Sequence, residues 1–172
     1  IIGSEGTLGF ITTIRWRLCP IPGARAGLRI LLRSLDDLEE VVRSLVALDP
    51  SAVELLDRTF LELVQAPGLP AADAVLLVEF ERESEAAARG VVGDAVRAVA
   101  QRSSEVETAL TPEEEQRLWS LRHAASPILA GLPPERRSLQ VIEDGCVPLA
   151  RLGEYVRAIR VAAAQQGIMV VI

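Results

Sequence analysis

Apolar and polar residues change period several times along this chain, and each change marks a candidate element. From Thr13 to Leu18 they alternate one to one. Phe10-Ile11-Thr12 just before is bulky and branched, so residues 10–18 read as a strand. Pro20 and Pro22 stop it, and residues 23–27 read as a linker. Residues 28–32 (Leu-Arg-Ile-Leu-Leu) are the next strand. Ser34 can cap the helix that follows, Asp36, Asp37 and Glu39 suit its first turn, and Leu38, Val41, Val42, Leu45 and Leu48 recur at helical spacing until Asp49-Pro50. A short strand is predicted over 52–56, then a small helix to Val64 capped by Asp57. Residues 74–81 read as a strong strand. Residues 83–100 read as a helix with Ala86, Val91, Val92, Val96 and Val99 inside, and 105–110 as a weaker strand. Thr111-Pro112-Glu113-Glu114 combines a capping Thr, a first-turn Pro and a carboxylate three residues on, which starts a helix running to Ser126, before Pro127. Residues 138–143 form a strand candidate. A helix from Pro148 to Gln166 is capped by Gly167, and the apolar run 168–172 reads as a buried strand.

After the linker, helices separate most of the strands, but residues 53–78 hold only a loop and a small helix between two of them. That favours an α+β fold of ferredoxin-like type, an antiparallel sheet with helices packed on one face. A doubly wound parallel sheet is the alternative. An apolar run at each end, with no initiator Met, gives the expectation that the chain is a piece of a longer polypeptide.

Composition narrows the chemistry. Hydrophobic residues make up 49% of the 172 and aromatics 3%, so a core is affordable only from Leu, Val, Ile and Ala. A net charge of −6 argues against a nucleic-acid partner. All 18 basic residues are Arg, so no lysine Schiff base is available. Cys19 and Cys146 lack metal-ligand spacing and read as reduced thiols. His123 is the single histidine, so this chain alone cannot build a multi-histidine metal site. His123 is expected on the surface and Trp119 in the core. Gly3-Ser4-Glu5-Gly6-Thr7-Leu8-Gly9 is a glycine-rich turn whose backbone can approach a ligand, but it leads into a strand. It is therefore neither a Walker loop nor a dinucleotide fingerprint, and its spacing alone leaves a structural turn and a ligand loop both open.

Residues 2–12 (Ile-Gly-Ser-Glu-Gly-Thr-Leu-Gly-Phe-Ile-Thr) closely resemble the segment that ends the FAD-binding domain in vanillyl-alcohol-oxidase-like flavoproteins. Cys19-Pro20-Ile21-Pro22 resembles the Pro-x-Pro exit after it. Glu54-Leu55-Leu56-Asp57 is similar to Glu-Leu-Met-Asp, the stretch from Leu118 to Arg122 to Leu-Trp-x-x-Arg, and that from Glu143 to Pro148 to Glu-Asp-x-x-Val-Pro. Together, in this order, they resemble the FAD-linked oxidase group, which includes the glycolate oxidase flavin subunit, D-lactate dehydrogenase and D-2-hydroxyglutarate dehydrogenase.

The resemblance implies that residues 1–22 end an FAD domain and that 23–172 are a substrate-facing cap domain, truncated at its C-terminus. It implies that Ser4, Glu5, Gly6, Leu8, Gly9 and Ile11 lie around the flavin. Arg122 would grip a substrate carboxylate, and Ser126, one turn on, would touch substrate. The reaction implied is oxidation of a small D-2-hydroxy acid by hydride transfer to FAD. Electrons would pass to an iron–sulfur subunit, a quinone or a cytochrome, and a homodimer fits the group. The setting implied is cytoplasmic, or peripheral at the inner face of a membrane through that acceptor. A Gly-His-x-Gly-Asp-Gly-Asn segment is expected beyond Ile172, supplying histidines for substrate or a divalent metal, so the chain alone is expected to be inactive. Ile142 stands where the hydroxyglutarate enzyme has Lys, which favours glycolate or D-lactate. A non-catalytic ferredoxin-like binding or oligomerisation module and an alkyl-transferase member of the superfamily are the alternatives.

Overall fold

The computed structural model describes residues 1–64, 72–136, 139 and 145–172. Four strands form its sheet: β1 (Ala24–Leu32), β2 (Ala52–Asp57), β3 (Ala74–Arg82) and β4 (Ser103–Ala109). They lie in the order β2-β3-β1-β4, and every neighbouring pair is antiparallel. The helices are α1 (Leu38–Val46), α2 (Arg58–Leu63), α3 (Glu85–Val99), α4 (Pro112–Ala130) and α5 (Leu152–Gln165). Strand, helix, strand, strand, helix, strand in this order is the ferredoxin-like split β-α-β arrangement, so the α+β antiparallel expectation holds.

The two faces of the sheet are sorted by strand period. Leu28, Ile30 and Leu32 of β1 and Leu76, Val78 and Phe80 of β3 point to one face, where they meet α1, α3 and Val156 of α5. Burying each such side chain contributes about 1.5–3 kcal/mol. Alternate residues Leu31, Val75 and Leu77 point the other way and join Leu56, Phe60, Leu61, Ala109 and Leu118 in a second cluster. The main helical layer thus covers one face, and α2 and α4 additionally cover part of the other. Ser34 and Asp57 cap as expected: Ser34 Oγ accepts from the Asp36 amide at 3.1 Å, and Asp57 Oδ1 from the Phe60 amide at 2.9 Å.

Several expectations change. Residues 24–27 belong to β1 rather than to a linker, because Ala24–Gly27 pair with Glu79–Arg82 and Arg25 reaches Glu81. Residues 10–18 form no strand: among the described residues none pairs with them in a hydrogen-bond ladder, and Phe10 is 98% exposed. The run 168–172 also forms no strand. Its contact with the sheet is local, with the Asp57 amide donating to the Ile172 carbonyl at 2.8 Å. α4 runs through Pro127 to Ala130, and Leu129 packs against the second cluster. The buried stripe of α3 is Ala88, Val92, Ala95 and Val99, so Ala86 faces solvent. The strand expected over 138–143 lies, but for Leu139, outside the described residues, as do Ile142, Glu143 and Asp144.

Candidate functional site

α4 is built by its own first turn. Thr111 Oγ1 accepts from the Glu114 amide at 3.3 Å, and Glu114 Oε2 accepts from the Thr111 and Leu110 amides at 3.1 and 2.8 Å. The helix therefore leaves β4 in a fixed direction and runs over the second face of the sheet. Residues 115, 118, 119 and 122 recur at helical spacing and share the side turned toward the strands. Leu118 is buried, and Trp119 packs beside it with its indole N–H buried and unpartnered among the described residues. Two turns beyond Glu115, Arg122 reaches the outer strand β2. Its Nε donates to Glu54 Oε2 at 3.2 Å, and both side chains are 43% exposed.

The sheet beneath α4 is apolar at one end and charged at the other. Arg25, Arg29, Glu79, Glu81, Glu105 and Glu107 all share the face of Leu31 and Leu77. Arg25 pairs with Glu81 at 2.7 Å, and Arg29 with Glu107 at 2.7 Å. Glu79 accepts from the Ser51 hydroxyl at 2.8 Å. Glu115 sits over this group. Burial, and then the neighbouring Glu79 carboxylate, raise its carboxyl above the ordinary value. Its Oε1 is buried and has no hydrogen-bond partner among the described residues, so a protonated carboxyl there would have a donor to offer Glu79.

The other candidates are apart from this group. Ser126 is exposed one turn beyond Arg122, and His123 is exposed as expected. The turn 3–9 is open to solvent and tightly wound: the Ser4 amide donates to the Ile1 carbonyl and the Thr7 amide to the Ser4 carbonyl. Gly3, Glu5 and Gly6 hold positive φ of 82°, 48° and 79°, and a side chain added at either glycine would meet nothing within 4 Å. Among the described residues no hydrogen bond or ion pair joins 3–11 to α4. Nor, among them, does any group of three or more His, Cys, Asp or Glu converge as metal ligands. No described helix is long and apolar enough to cross a membrane.

Sequence reasoning singled out Arg122 but neither Glu54, which the structure sets against it, nor Glu115 two turns before it on the same helix face. The seven-residue interval from Glu115 to Arg122 was a usable signal, since it puts both on one helix face. Nothing in the sequence announced that Glu54 lies opposite.

Against known proteins, residues 21–172 match the family described as FAD linked oxidases, C-terminal domain. The chain belongs to that family. It is 32% identical over 177 residues to the glycolate oxidase subunit GlcD of Bacillus subtilis, covering 98% of this chain and 36% of that protein. It is 29% identical over 181 residues to the D-lactate dehydrogenase of Archaeoglobus fulgidus, covering 98% and 37%. Over 161 residues it is 31% identical to the mitochondrial D-lactate dehydrogenase (cytochrome) of Arabidopsis thaliana, covering 91% and 28%. The chain thus spans about a third of the length of these relatives.

Proposed function

We propose that this FAD-linked oxidase domain is the substrate-facing cap of a flavin-dependent enzyme. The enzyme would oxidise a small D-2-hydroxy acid, of the glycolate or D-lactate kind, to the 2-oxo acid. The observation that carries the reading is Arg122: in a face rich in carboxylates, it presents a guanidinium turned toward the sheet and held, among the described residues, on one edge only. A planar guanidinium grips a carboxylate with two parallel hydrogen bonds, and a grip at one end of a two- or three-carbon acid fixes where its Cα–H points. Ser126, one turn on and exposed, lies along the same helix side and can reach a bound hydroxy acid. The names of the relatives, a glycolate oxidase subunit and two D-lactate dehydrogenases, support the substrate class.

Residues 1–22 are read as the end of a flavin-binding body and 23–172 as the cap. The exposed side chains of Ile11, Ile14, Trp16, Leu18 and Ile21 support this, since an apolar run of that size calls for a covering surface. The turn suits a backbone contact with FAD: Ser4, Glu5, Gly6, Leu8, Gly9 and Ile11 would lie against it, with no Cβ standing off the two left-handed glycines. When bound, FAD would supply the two-electron acceptor and hand electrons on to an iron–sulfur, quinone or cytochrome partner. Among the described residues no group of three or more His, Cys, Asp or Glu would hold a divalent metal.

The test is Arg122→Ala in the flavin-loaded enzyme. Loss of a charge-assisted pair of hydrogen bonds should cost about 1.5–3 kcal/mol, a fall of about 10- to 100-fold in kcat/KM, mostly in KM. An unchanged kcat/KM on both glycolate and D-lactate would overturn the reading.

A further inference from the structure

We propose that Glu54 is the positioning residue for Arg122, holding its guanidinium in the plane in which it meets a substrate carboxylate. The proposal rests on the reading of Arg122 as the carboxylate clamp.

Glu54 stands on β2, opposite Leu77 of β3, and its side chain shares the face covered by α4. The ladder to β3 fixes its backbone, so its carboxylate is held on a rigid element. Arg122 comes from a helix 68 residues away in sequence and meets it through Nε alone, at 3.2 Å. Among the described residues neither terminal nitrogen of Arg122 donates a hydrogen bond. A guanidinium has five N–H groups in one plane, so a partner on Nε sets that plane and leaves the Nη1–Nη2 end for a second carboxylate. A half-exposed ion pair contributes only about 0–1 kcal/mol to stability, so what Glu54 gives the site is orientation.

The experiment compares kinetics of the flavin-loaded enzyme on D-lactate and glycolate, with Glu54→Ala, Glu54→Gln and Arg122→Ala. The affinity for the 2-oxo acid product, read from flavin fluorescence, gives a second measure. Glu54→Ala should raise KM for D-lactate and weaken product binding about 10-fold, with kcat changed less. Glu54→Gln keeps an acceptor for Nε and should restore both to within about 3-fold. A lower KM in Glu54→Ala would mean that Glu54 competes with substrate for Arg122, and would overturn the proposal. So would an unchanged KM or a failure of Glu54→Gln to restore it. If Arg122→Ala has no effect, the clamp itself fails and this inference falls with it. If Arg122→Ala is damaging and Glu54→Ala is silent, only the inference fails.

Discussion

Glu115 is a carboxylic acid placed where a carboxylate is hard to keep. It lies under α4 beside Glu79, and burial raises its carboxyl above the ordinary 4.5 more than any other cause. A raised value means that the folded chain holds a proton which the unfolded chain would release. Stability from this group is therefore fully present below pH about 4.5 and is lost as pH climbs through the raised value. Glu115→Gln keeps the shape and a donor for Glu79 while removing the titration. The variant should be at least as stable as the native chain at about pH 8, with the difference shrinking toward about pH 5. Thermal melts at the two pH values check this, and an equal gap at both would show that Glu115 ionises normally. Such a group is hard to see in a sequence. Arg122 was legible because Leu-Trp-x-x-Arg is a recognisable word. Glu54 opens a stretch that resembles the family's, but its pairing with Arg122, like the approach of Glu115 to Glu79, exists only once α4 is laid over the sheet.

At the scale of elements, local chemistry was the most legible part. Thr111, Pro112 and Glu114 specified the start of α4, and the structure shows both halves of the capping box. Replacing a capping Thr with Ala costs about 1 kcal/mol, so Thr111→Ala should lower stability by that amount in denaturant titration. Its partner Glu114 has a carboxyl held below the ordinary value, chiefly by the Leu110 amide. That stabilisation is present above pH about 4.5 and is lost as pH falls through the lowered value, so Glu114→Gln should weaken the acid sensitivity of the native chain. The end of α4 was less legible. A Pro lacks the N–H that would reach residue 123, and reading it as a stop is sound local reasoning. Packing overrides it, because Leu129 must reach the second cluster. Pro127→Ala restores that donor and should raise stability, by up to about 3 kcal/mol; a fall would mean that the Pro ring itself supports the packing. The predicted strands at 10–18 and 168–172 failed for a different reason. Alternation shows that a segment suits a sheet, but a strand exists only beside a partner.

For the molecule as a whole, the core is shared between the antiparallel sheet and the helices packed on it, and residues 1–22 add no buried residue to it. Leu76, at the centre of β3, is 0% exposed, and Leu76→Ala should cost about 2–5 kcal/mol through lost burial and the cavity left behind. Residues 5–21 are exposed without exception. At Gly23 an added Cβ would stand 2.2 Å from the Glu83 carbonyl oxygen, so the chain already lies against the end of β3 there, which suits the proposed division after Pro22. A polypeptide of residues 23–172 should therefore fold and melt close to the 1–172 chain. It should also aggregate less, because Phe10, Trp16, Leu18 and Ile21 are no longer presented to water. Calorimetry and light scattering on the two lengths measure both effects. Failure of the shorter chain to fold would show that the first 22 residues hold the cap together, and would put the proposed division at Pro22 in the wrong place. Gly23→Ala sharpens the comparison: it should destabilise both lengths equally, since the atom it clashes with belongs to the cap itself.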